Sequence, residues 1–143
     1  MSEFVLPAGT YLGWRYLDGQ RGVDRSQLYH DDGLVELVEG ETRTVLCRFN
    51  ESQVAAAMRA VGEAGLGTAP DVQRGKTADA ATVVYAWRLD GDQRTLTNGG
   101  YPATRIEALE RLEAALARIE DEAGCGPLLA DDEAAAAYAA LDN

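Results

Sequence analysis

Three glycine-bearing turns fall within the first 41 residues, and each separates short runs in which apolar and polar residues alternate. That pattern leaves few folds open. A run with period two buries one face as a strand, and turns this short send the chain back antiparallel. TYLGWRYL, residues 10–17, sets Leu12, Trp14 and Tyr16 against Tyr11, Gly13 and Arg15. DGQRGVD, residues 18–24, reads as a loop, and SQLYH as a second strand. Asp31, Asp32 and Gly33 then make a tight reversal, with Gly33 free to take a positive φ. LVELV continues as a third strand, Glu39, Gly40 and Glu41 turn again, and TRTVLCRF forms a fourth with Val45, Cys47 and Phe49 on one face. The expectation is a meander of three or four antiparallel strands.

A helix follows. Asn50 is a good N-cap, Gln53 completes a capping box, and Glu51 complements the dipole. Val54, Met58 and Val61 form one apolar stripe, and Gly65 is the natural stop, with Leu66 folding back on the last turn. Residues 67–81 are small and polar, the composition of a long interior loop. TVVYAWRLDGDQRTLTN reads as a hairpin closed by Asp90 and Gly91 in a type I′ turn, with Val83, Tyr85, Trp87 and Leu89 sharing a face. Residues 98–103 read as a second polar loop. A long helix opens at Thr104, with Glu107 three residues on as a second capping box. Ile106, Leu109, Leu112, Leu116 and Ile119 make its seam. Gly124 to Pro127 end it, and residues from Asp131 onward suit a short last helix that needs a surface to dock on.

The order β-β-β-β-α-β-β-α, plus a short C-terminal helix, predicts an α+β fold: an antiparallel sheet of five or six strands with two main helices on one face. Residues 1–123 form the single domain. Residues 124–143 form a tail, expected to dock through Leu128, Leu129, Tyr138 and Leu141.

The chemistry-bearing residues are sparse. His30, the one histidine, stands directly before Asp31 and Asp32. A catalytic triad or zinc site needs distant partners. Neighbours in a strand point to opposite faces, so adjacency works against cooperation. The cluster therefore reads as a turn with His30 at the end of a strand. Asp18 and Asp24 bracket a loop that could hold a weak cation, and Asp90 and Asp92 lack the spacing of a calcium loop. No phosphate-binding or nucleophile-elbow motif occurs. No catalytic, metal or cofactor residues are assigned. Trp14, Tyr16, Tyr85 and Trp87 read as core, while aromatics on the opposite face would mark a binding surface or dimer interface.

Net charge is −11 over 143 residues, and two thirds of the excess lies in residues 101–143. Such a chain repels phosphate backbones and anionic bilayers. It suits a protein partner with a basic surface, and solubility alone is the plainer explanation of the charge. One lysine against twelve arginines, with abundant alanine, reads as GC-rich bacterial coding. The opening residues do not read as a signal peptide. Cys47 and Cys125 lie far apart and make no CxxC. They read as a reduced cytoplasmic pair, with one long-range disulfide left open.

ESQVAAAMRAVGEAGL, a loop with Ala69 and Pro70, TVVYAWRLDGDQRTLTN and YPATRIEALERLEAAL occur in that order. This succession over residues 26–119 resembles small bacterial proteins of the emfourin type, inhibitors of thermolysin-like metalloproteases, and related uncharacterised actinobacterial domains. The resemblance implies a non-catalytic protein binder with an α+β fold and carries no individual inhibitory residue. Asn98 and Tyr101, on the polar loop, are the candidate protein contacts. The alternatives are a structural subunit of a homodimer or larger complex, and an enzyme of unrecognised type whose groups meet only in space.

Overall fold

A computed structural model describes residues 4–18, 22–68, 72–73, 82–89, 91–99 and 106–125. The meander is there. β1 (Thr10–Asp18), β2 (Val23–His30), β3 (Leu34–Glu39) and β4 (Thr42–Arg48) pair in succession, all antiparallel. α1 spans Glu51–Glu63, a 3₁₀ turn covers Leu66–Thr68, and the two-residue β5 is Val72–Gln73. β6 (Thr82–Trp87), β7 (Arg94–Gly99) and α2 (Glu107–Glu122) follow. The sheet order is β4-β3-β2-β1-β6-β7-β5. Six strands run antiparallel, and only β5 joins its neighbour β7 in parallel. Both helices pack on one face, which gives the α+β architecture expected.

The core explains the pattern. Leu12, Trp14 and Tyr16 from β1, Tyr29 from β2, Val35 and Leu37 from β3, and Val83, Tyr85 and Trp87 from β6 all point toward the helices. Ala57 and Val61 of α1, and Leu109, Leu112, Leu116 and Ile119 of α2, close over them. The Asn50 capping box forms in full, with reciprocal bonds of 2.8 Å to and from Gln53, and Gly65 follows the helix with φ +80°. α2 is tied to α1 by Arg111, whose Nε and Nη2 donate to the orphan carbonyl of Ala64 at 3.2 and 2.8 Å.

The Asp31–Gly33 reversal also forms. The Gly33 amide donates to the His30 carbonyl at 3.0 Å, and Gly33 adopts φ +101°. A Cβ there would sit 2.1 Å from the Phe49 carbonyl oxygen, so no other residue fits.

Several expectations are corrected. β2 begins at Val23, inside the stretch read as a loop. A bulge between Val35 and Glu36 of the β3–β4 ladder sends Leu46 and Cys47 inward together, and Val45, expected beside Cys47, is thrown outward at 66% exposure. A second bulge near Thr10 turns Tyr11 into the helix-covered core, against the alternation that sets it opposite Leu12. The β6–β7 connection is six residues, 88–93, not a two-residue turn. Its ends are recruited elsewhere. The Arg88 amide continues pairing to Tyr11 of β1 at 2.9 Å, and Gln93 clamps the N-terminal segment. Leu89 leaves the shared face and is 44% exposed. α2 starts at Glu107, with Ile106 as an N-cap that makes no side-chain bond. Thr104 and the tail beyond Cys125 lie outside the described residues.

The largest departure is Cys47–Cys125, a disulfide across 78 residues with Cα atoms 4.8 Å apart. The reduced reading failed because Cys125 carries no local sign of its partner. The β4 bulge turns Cys47 toward the helices, and the end of α2 brings Cys125 to it. In the chain-entropy account, closing such a loop stabilises the fold by about 4.5 kcal/mol.

Candidate functional site

The sheet face away from the helices carries the polar side chains best placed for chemistry. Glu36, on β3, is only 4% exposed. Its direct partner on β2 is Leu28, so His30 lies on the diagonal. Its direct partner on β4 is Val45, so Arg43 lies on the other diagonal. Arg43 makes a bidentate pair with the carboxylate, Nε to Oε1 at 2.7 Å and Nη2 to Oε2 at 2.9 Å. His30 Nε2 meets Glu36 Oε2 from the far side. The Arg43 guanidinium holds the Glu36 carboxyl below its usual range, burial opposes this, and His30 adds to it.

That geometry limits what Glu36 can do. A general acid or base works best with a pKa near the working pH, and Arg43 moves this one away. Both oxygens are already engaged. The cluster is a three-strand clamp, joining β2, β3 and β4 on the exposed side of the sheet. The opening turn reading of Asp31 to Gly33 stands, and Asp32 Oδ1 accepts from the Leu34 amide at 3.0 Å. What adjacency in sequence could not supply was the true partner of His30, six residues away across the hairpin. The register set by the three-residue turn was the available signal.

The suggested cation loop is occupied differently. Asp24 accepts from Arg15 Nε at 3.0 Å and Nη2 at 2.8 Å, and this pairing lowers its pKa. Asp18 accepts from Tyr16 Oη at 3.4 Å. Among the described residues no group of three or more His, Cys, Asp or Glu is placed to hold a metal ion. Asp90 lies outside them.

On the helix side, two tyrosines meet carboxylates seven residues apart on α2. Tyr85 Oη donates to Glu113 Oε1 at 2.7 Å. Tyr29 Oη, which accepts from Gln27 Nε2 at 2.8 Å, donates to Glu120 Oε2 at 3.5 Å. Gln27 and Glu120 are buried polar residues among the core side chains. The helical spacing that reveals the apolar seam of α2 gives no sign of either glutamate's partner.

Part of the open face is sealed. Phe4 and Leu6 pack on Leu28 and Ala86. Gln93 holds their backbone from both sides, accepting from the Leu6 amide at 2.6 Å and donating to the Phe4 carbonyl at 2.8 Å. Gly13 makes room, since a Cβ there would come within 2.9 Å of Leu6 and 3.0 Å of Phe4.

Of the two candidate contacts, Asn98 is not on a loop. It lies in β7, paired with Val83 of β6 and Val72 of β5. The alternation of β-branched Thr95 and Thr97 with the buried Leu96 carries the strand past the point where glycines were expected to end it. Tyr101 lies outside the described residues. Gly99 of β7 pairs with Gln73 of β5 on one side and with Thr82 of β6 on the other. The segments 74–81 and 100–105 therefore attach at one corner of the sheet, beside Asn98. No protein-family model, curated protein or solved structure matches this chain.

Proposed function

We propose that the protein is a non-catalytic binding module, an inhibitor or regulator that engages a basic surface on another protein. The observation that carries this reading is the corner formed by Gln73, Thr82 and Gly99. Both polar segments singled out in the sequence are anchored there on a rigid sheet, the usual way a scaffold presents recognition residues. The likeness to emfourin-type inhibitors points the same way. So does the engagement of Glu36 and Asp24 by arginines, which leaves these carboxylates poorly suited to acid–base work. The net charge of −11 gives the partner its sign. On this reading the protein works in the cytoplasm.

The test is site-specific photo-crosslinking. A photoreactive side chain at position 98 should capture one protein from the native lysate, and added salt should weaken the capture. The same group on the exposed face of α1, at Arg59, should capture nothing. Equal or absent capture at both positions would defeat the proposal. The assembly alternative draws on β4, an edge strand whose Val45 is 66% exposed. Light scattering separates the two readings, because a monomer at micromolar concentration rules out a homodimer.

A further inference from the structure

We propose that Cys47–Cys125 is a thiol-operated latch, whose reduction lets the last turn of α2 lift from the sheet and uncover the buried polar cluster of Tyr11, Gln27 and Tyr29. The inference is independent of which partner the protein binds.

The first argument is where the bridge sits. It joins the bulged edge strand β4 to the residue just past the end of α2. The body of that helix does not depend on it. Leu109, Leu112 and Leu116 are buried, Arg111 is bonded to Ala64, and Tyr85 to Glu113. Beyond Leu116 the non-covalent anchors thin out to Ile119, Glu120 and Ala123. Gly124 and Cys125 then fold back on the helix end, with the Cys125 amide on the Glu120 carbonyl at 2.9 Å.

The second argument is what the last turn covers. Tyr11, Gln27 and Tyr29 are 2%, 0% and 2% exposed. Tyr11 Oη and Gln27 Oε1 have no hydrogen-bond partner among the described residues. The Tyr29–Glu120 bond, at 3.5 Å, is at the long limit. Tyr11 sits beside Tyr29, with ring centroids 6.4 Å apart, and burial raises the pKa of its phenol, with further contributions from Glu120 and Asp31. A buried polar atom left unpaired favours any opening that admits water. The closed position is thus opposed by the groups beneath it and secured by the covalent bridge above.

The third is access. Cys47 and Cys125 are both partly exposed, at the rim of the sheet where, among the described residues, no strand lies beyond β4. The reductant is a dithiol. Its thiolate attacks one sulfur to give a mixed disulfide, and its second thiol releases the protein. Two electrons and two protons pass to Cys47 and Cys125, and the dithiol leaves as a disulfide. In a reducing compartment the latch would stand open until an oxidant of the disulfide class closed it.

The experiment compares the oxidised full chain, the same protein reduced with dithiothreitol, and Cys125→Ser, by hydrogen exchange. Reduction and C125S should each speed exchange of amides 119–125 by about tenfold, the lower range of what one orphaned polar group costs. Amides of β1 and of residues 109–116 should stay protected. Tyr11→Phe removes one orphaned oxygen and should shrink the effect of reduction. Three results would overturn the latch: unchanged exchange at 119–125 after reduction, loss of protection throughout the core, or an effect of reduction undiminished in Y11F.

Discussion

Gly13 and Glu36 occupy the same sheet face and illustrate opposite constraints. At Gly13 the constraint is volume. The neighbours a Cβ would meet, Leu6 and Phe4, are side chains at distances of 2.9 and 3.0 Å. They can yield, but only by loosening the seal over Leu28 and Ala86. Gly13→Ala should therefore cost about 1–3 kcal/mol, the range for overpacking, measured by urea denaturation, and Gly13→Val more. At Glu36 the constraint is charge. Its pKa is depressed chiefly by Arg43. A carboxyl depressed on folding contributes stability above its unfolded pKa, near the ordinary glutamate value of 4.5, and loses it as pH falls through the folded value. Thermal scans from pH 6 downward should show the wild type losing stability in the acid limb. Glu36→Gln should flatten that limb while lowering the neutral plateau.

At the scale of elements, local pattern was a good guide wherever neighbours in sequence are neighbours in space. The meander, the Asn50 cap and the seam of α2 follow from alternation, capping chemistry and helical spacing. Asn50→Ala should cost about 1 kcal/mol by loss of its bond to the Gln53 amide. Leu112→Ala, at a position with 0% exposure, should cost about 2–5 kcal/mol. Both are readable as shifts in denaturation midpoint. What the sequence concealed were long-range claims on local residues. Gln93 is drawn out of a hairpin turn by the backbone of Phe4 and Leu6, 89 and 87 residues away. Val45 is displaced by a bulge that serves Cys47. Glu113 and Glu120 are engaged by tyrosines on separate strands, and Glu120 is buried there. The site was legible only in its turn. His30 was visible, but Glu36 and Arg43 became its neighbours through two hairpin registers, which pairing alone determines.

For the whole molecule, the bridge and the sheet order matter most. Reduction, or Cys47→Ser, should leave the protein folded and lower its stability by up to about 4.5 kcal/mol. Guanidinium titrations with and without reductant would show this, and an unchanged midpoint would mean the bridge does not constrain the unfolded chain. The sheet order has a further consequence. β1, first in sequence, is central in the sheet, between β2 and β6. Its first neighbour is made at once, but roughly 60 residues of chain separate Asp18 from Thr82. At about 5–20 residues per second that is roughly 3–12 s of translation. Throughout that interval the strand destined for the middle of the protein is an unpaired edge at the ribosome surface, where chaperones can reach it before β6 does.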